Sequence, residues 1–119
     1  MLTSSASPSA LAPARLRGCC TALESRLEPA EAESLAEILR ALADPTRLQM
    51  LSMLRAAPQP VCVCDFTAAF ELGQPTISHH LARLRDAGLV TSTRAGIWSF
   101  HALRSDLAPA ARAALDLVP

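Results

Sequence analysis

Four cysteines carry the most distinctive chemistry in this sequence, and they fall in two tight pairs, Cys19-Cys20 and Cys62-Val63-Cys64. Neither spacing fits a structural zinc finger or the C-x-x-C of a dithiol oxidoreductase. Thiols gathered so closely suit soft metal ions and metalloids. A role as small buried hydrophobes fits an isolated Cys better than two pairs. A second group is cationic: between Gln74 and Arg104 the chain carries Arg83, Arg85, Arg94 and Arg104, all three His (79, 80 and 101), and only Asp86 in opposition. Glu24 to Glu37, by contrast, carries five Glu against Arg26. The whole chain is neutral, with 11 basic and 11 acidic residues, so net charge alone points to neither nucleic acid nor membrane. A locally basic end can still grip an anionic partner. His79 and His80 diverge by about 100° on a helix and cannot close on one ion.

The elements that must position these groups can be read from spacing. The chain has 119 residues, enough for one domain and a short tail. With one Trp, three Phe and no Tyr, its core must rest on aliphatic side chains, which favours helices. Residues 1–14 are rich in Ser, Ala and Pro, carry no charge, and are expected to be disordered. Leu16, Cys20, Leu23 and Leu27 mark a short helix in an N-terminal arm, weakened by Gly18. Leu35, Ile38, Leu39 and Leu42 predict a helix over 30–43. Asp44-Pro45 reads as an N-cap followed by Pro in the first turn, opening a second helix to about Ala57 with Leu48, Leu51 and Leu54 inward.

A short third helix is expected over 62–70, where Cys62 and Cys64 would point about 200° apart. A fourth starts at Gly73-Gln74-Pro75 and ends at Ala87-Gly88. Its inner face holds Ile77, His80, Leu81 and Leu84, leaving Thr76, Ser78, His79 and Arg83 outside. Leu89–Thr93 and Ile97–Leu103 then read as strands of a β-hairpin around Arg94-Ala95-Gly96. A last helix from about Asp106 carries Leu107, Ala111, Ala114, Leu115 and Val118 on one stripe. That order is mainly α with a β-hairpin wing: a winged helix-turn-helix over 15–119.

The residues within it resemble a known family. The runs LADPTRLQML (42–51), VCVCDF (61–66) and LGQPTISHHLARLRDAGLV (72–90) are similar in order and spacing to the ArsR/SmtB metal-responsive repressors. One departure is Gly73, where relatives usually have a capping Ser, and Gly is only a few tenths of a kcal/mol worse there. The resemblance implies operator DNA as partner, read by Gln74, Thr76, Ser78, His79 and Arg83 in the major groove and by Arg94 on the wing. It also implies thiolate ligands. An arm Cys-Cys followed by P-V-C-V is most like the members that bind As(III), or Sb(III), through Cys19, Cys20 and Cys62. Cys64 would join as a fourth ligand for Cd(II) or Pb(II). The family's zinc site on the last helix is expected to be missing, because Asp106 is followed by Leu107 and Ala108 and no His lies beyond His101.

The function expected is thus a homodimeric repressor released from its operator by As(III). A Cd(II)/Pb(II) sensor using all four Cys and a thiol-based redox repressor are the alternatives. An enzyme is not expected, since no acid/base pair, C-x-x-C or phosphate-cradling Gly loop accompanies the thiols. No run of about eighteen apolar residues could form a transmembrane helix, and no signal peptide is evident, so a cytoplasmic protein without membrane partners is expected.

Overall fold

A computed structural model describes residues 20–119. The expected tail over 1–14, Cys19 and the start of the arm lie outside the described residues. The remainder of the arm is not helical: Cys20–Glu28 is irregular, with Leu23 86% and Leu27 44% exposed. An apolar stripe with nothing to pack against cannot offset the cost of nucleating so short a helix.

The first described helix, α1, spans Pro29–Leu42, with Pro29 in its first turn and the Glu31 carboxylate accepting from the Glu28 N–H at 3.0 Å. It buries Ile38, Ala41 and Leu42, while Leu39, expected inward, is 49% exposed. Helix α2 (Pro45–Ala56) starts as expected: the Asp44 side chain accepts from the Arg47 N–H at 3.0 Å. Its inner face is Arg47, Met50, Leu51 and Leu54 rather than Leu48, which is 37% exposed. Arg47 takes the inward position because its guanidinium caps α1. Nε donates to the Ala41 carbonyl at 2.7 Å and Nη2 to the Arg40 carbonyl at 3.1 Å. Carbonyls in a helix's last turn lack their usual i+4 partners, and of these two only Arg40 also accepts from a nearby backbone N–H, that of Ala43 at 3.2 Å.

A two-residue strand, β1 (Val61–Cys62), precedes α3 (Val63–Phe70) and pairs antiparallel with the hairpin, Cys62 opposite Phe100. Helix α4 covers Gln74–Asp86 and buries Ile77, Leu81 and Leu84, the face its spacing predicts. Gly88, at φ 79°, follows it as the C′ residue. The hairpin strands are β2 (Val90–Ala95) and β3 (Trp98–Leu103), giving a three-stranded sheet in the order β1-β3-β2. Pairing continues to Ala95 opposite Trp98, leaving a two-residue turn with Gly96 at φ 65°. Arg94 therefore lies within β2 opposite Ser99, not at the tip. Glycine first in a two-residue hairpin turn suits the twist of the strands.

Helix α5 is Pro109–Leu115, three residues later than expected, since Asp106 is exposed and held by Arg104 at 3.0 Å instead of capping. Ala111, Ala114, Leu115 and Val118 are buried in the protomer's own core with Ile38, Met50, Leu51, Phe66, Leu81 and Leu84. The last-helix stripe thus already has partners, while Leu39 and Leu117 (75% exposed) are among the large apolar side chains left outward. No described helix is long and apolar enough to cross a membrane.

Candidate DNA interface and thiol site

Helix α4 is fixed by its apolar face, and the opposite face is free. Gln74, Thr76, Ser78, His79 and Arg83 are all exposed, and so is Arg94 on β2. His80 is on the inner side, its side chain 14% exposed. Its Nδ1 lies 3.3 Å from Arg47 Nη1 and 4.0 Å from Asp44 Oδ2. Burial pulls its pKa below the usual imidazole value, outweighing the upward pull of Asp44. Neutral His80 can accept from the guanidinium. The His79 and His80 rings are 6.1 Å apart and tilted by 56°, which is not the arrangement of two ligands on one ion.

The thiols depart from expectation. Cys62 is not in the helix: it is the N-cap of α3, with φ −86° and ψ 154°. Its Sγ accepts from the Cys64 N–H at 3.2 Å, while Asp65 Oδ2 accepts from the Cys62 N–H at 3.0 Å. An extended residue next to the first helical turn sends its side chain back over that turn. The two sulfurs therefore converge, with Cα atoms 5.3 Å apart, and are joined as a disulfide. Expected to point about 200° apart, they are paired. Cys62 is buried and Cys64 exposed. Cys20 is exposed and has no disulfide partner among the described residues, and Cys19 lies outside them.

Cys62 and Cys64 both line one open groove of about 570 Å³ between α3, α4 and the wing. Gln74, Ser78 and Arg94 line it too, so the candidate DNA-reading residues and the candidate inducer thiols share a wall. Arg85 also lines it and was not singled out by sequence. Ser78 and Arg85 are seven apart and therefore on one helical stripe, a signal available in the spacing. His101 closes the groove floor, buried, with Nδ1 2.9 Å from Ser92 Oγ and Nε2 3.2 Å from Ser99 Oγ. Burial and then the Arg85 charge hold its pKa down.

The donor set fits a thiophilic ion only in part. Two adjacent sulfurs can take two positions of a trigonal site once reduced. Among the described residues, no group of three or more His, Cys, Asp or Glu is arranged to hold a metal. Any third sulfur must come from the arm.

A tri-helical core, a tight turn into a polar-faced helix and a β-wing together define a winged helix-turn-helix regulator. The model of the bacterial regulatory protein arsR family matches residues 44–92. The arsenical resistance operon repressor of Staphylococcus xylosus is 34% identical over 86 residues, 72% of this chain and 81% of that one. An arsenic resistance transcriptional regulator of Pseudomonas putida is 43% identical over 70 residues, 59% of this chain. The match spans about half (54%) of that relative's length. Among solved structures, HlyU from Vibrio cholerae aligns with a TM-score of 0.62 at 29% identity, covering 76% of this chain and 92% of its own. A homodimeric winged helix-turn-helix DNA-binding domain from Mycobacterium bovis aligns with a TM-score of 0.64 at 26% identity, covering 82% and 86%. The chain belongs to the ArsR/SmtB family of transcriptional repressors, which are DNA-binding regulators and not enzymes.

Proposed function

We propose that this chain, as a homodimer, occupies a two-half-site operator through α4 and the wing, and leaves it when As(III) binds its thiolates. The carrying observation is the shared groove: Cys62 and Cys64 open onto the same wall as Gln74, Ser78 and Arg94. Gln74, Thr76, Ser78, His79 and Arg83 would face the major groove, and Arg94 the adjacent backbone. Cys62 and Cys64, when reduced, would hold As(III) with one arm thiol, Cys19 or Cys20. Bound there, the metalloid supplies a trigonal, thiophilic centre.

The chain's own response follows from the cap. Cys62 Sγ accepts the Cys64 N–H at the start of α3. A sulfur committed to an ion is a poorer acceptor, which loosens the first turn of α3, the helix packed against α4. Tethering the arm to α3 also biases the dimer geometry on which two-half-site binding depends. A thousandfold weakening of DNA binding needs about 4 kcal/mol. Structural metal sites reach about 10 kcal/mol or more, so the coupling is well within range. The names of the Staphylococcus and Pseudomonas relatives support arsenic over other ions.

The test is titration of reduced protein with As(III), Sb(III), Cd(II), Pb(II) and Zn(II), reading thiolate absorption and operator release together. Release by As(III) at the lowest concentration supports the reading. Release by Cd(II) or Pb(II) ahead of As(III) would favour the four-thiolate sensor. A second reading, operator release on oxidation, is favoured by the Cys62–Cys64 pairing. Release by peroxide alone, reversed by a reductant, is its signature.

A further inference from the structure

We propose that the groove between α4 and the wing is a modification site for small anionic thiols. Cys64 forms a mixed disulfide there, with the adduct's carboxylates against Arg85 and Arg94. The inference deepens the oxidation reading above by naming the oxidant class, and it rests on that reading for its effect on DNA. Three features of the groove carry it. Its volume, about 570 Å³, is that of a pocket for a small peptide-sized ligand. Its walls hold two guanidiniums and no carboxylate, and among the described residues neither Arg85 nor Arg94 makes an ion pair. Its thiols are unequal: Cys64 is exposed, while Cys62, the sulfur it pairs with, is 7% exposed. The first can meet an incoming disulfide and the second can resolve the product.

The chemistry is thiol–disulfide exchange with a low-molecular-weight disulfide, RS–SR. The Cys64 thiolate attacks one sulfur of RS–SR. A Cys64–SR bond forms, the RS–SR bond breaks, and RS⁻ leaves with the bonding pair and takes a proton from water. The Cys62 thiolate then attacks Cys64 Sγ, expels the second RS⁻ and closes the Cys62–Cys64 disulfide. The two protein thiols are oxidised, and RS–SR is reduced to two thiols. Before resolution the adduct fills the groove and brings negative charge to Arg94, where a DNA phosphate would lie. It thus displaces the operator by direct occupation.

The experiment reacts the reduced full-length chain with three disulfides at low ionic strength: glutathione disulfide (anionic), hydroxyethyl disulfide (neutral) and cystamine (cationic). Each rate is normalised to that of a free cysteine peptide, and adducts are located by peptide mass mapping. Normalised rates should fall in the order anionic, neutral, cationic, with about tenfold between the extremes. Arg85→Gln should shrink that range. Cys62→Ser, which keeps a capping side chain, should trap the adduct on Cys64 and leave the operator displaced until a reductant is added. Equal or reversed charge preference would overturn the proposal. So would trapping on the arm cysteines alone, or a Cys64 adduct that leaves the operator bound. The adduct and its charge preference are read without DNA, so a failure of the operator reading leaves that part of the test standing.

Discussion

The half-buried His80 and the buried His101 both have pKa values below the ordinary 6.5, chiefly through burial. In the window just below 6.5 the folded protein then binds fewer protons than the unfolded chain, so stability rises with pH. The contribution is complete above 6.5 and is lost as pH falls toward the folded values. Asp44 is lowered as well, held below 3.8 chiefly by the Arg47 N–H, so its contribution is lost only at far lower pH. Thermal melts from about pH 7 to about 5.5 should show a falling Tm, and His80→Gln/His101→Gln should flatten that slope. An unchanged slope would mean that these two groups do not govern the acid response. On the exposed side of α4, Arg83→Ala and Arg94→Ala should each weaken operator binding and reduce the salt slope by about one unit. Binding isotherms at several salt concentrations would show it.

The helices were legible because their signals span many residues. The α4 inner face of Ile77, Leu81 and Leu84 and the Asp44-Pro45 start of α2 follow from periodicity and capping. What spacing could not provide was the state of single residues at element ends. Placing Cys62 one position inside α3 instead of at its N-cap swings its sulfur away from Cys64, and the expected divergence came from that one step. Strand β1 is two residues long, too short for alternation to register. Arg47 was hidden for another reason: nothing in a charged residue's type says that it will satisfy the carbonyls of a different helix. That role is testable. Arg47→Met should lower stability by roughly 3 kcal/mol, because the buried Ala41 carbonyl and the part-buried Arg40 carbonyl both lose a charged donor. Urea unfolding would measure it, and a loss below about 1 kcal/mol would contradict the capping role.

At the scale of the molecule, the protomer closes its own core around α5, so Leu115 is an internal residue, 2% exposed. Leu39 and Leu117 are among the apolar side chains left outward near α1 and the C-terminus. In the two-fold assembly proposed above, we assign them to the surface that meets the second copy. Leu39→Glu/Leu117→Glu should shift sedimentation toward monomer while leaving the fold intact by circular dichroism, and should weaken operator binding with it. A stable dimer in that variant would move the interface elsewhere.

The central claim is that the third-helix thiols and the operator use one groove and exclude each other. It is tested most directly by adding As(III) to the reduced protein–operator complex and following anisotropy of the labelled operator alongside thiolate absorption. The shared groove predicts that both signals change together and saturate at one As(III) per protomer. Cys62→Ser and Cys64→Ser should each abolish the release to a similar degree. Full As(III) uptake with the operator still bound, or undiminished release from the Cys62→Ser/Cys64→Ser double variant, would contradict it.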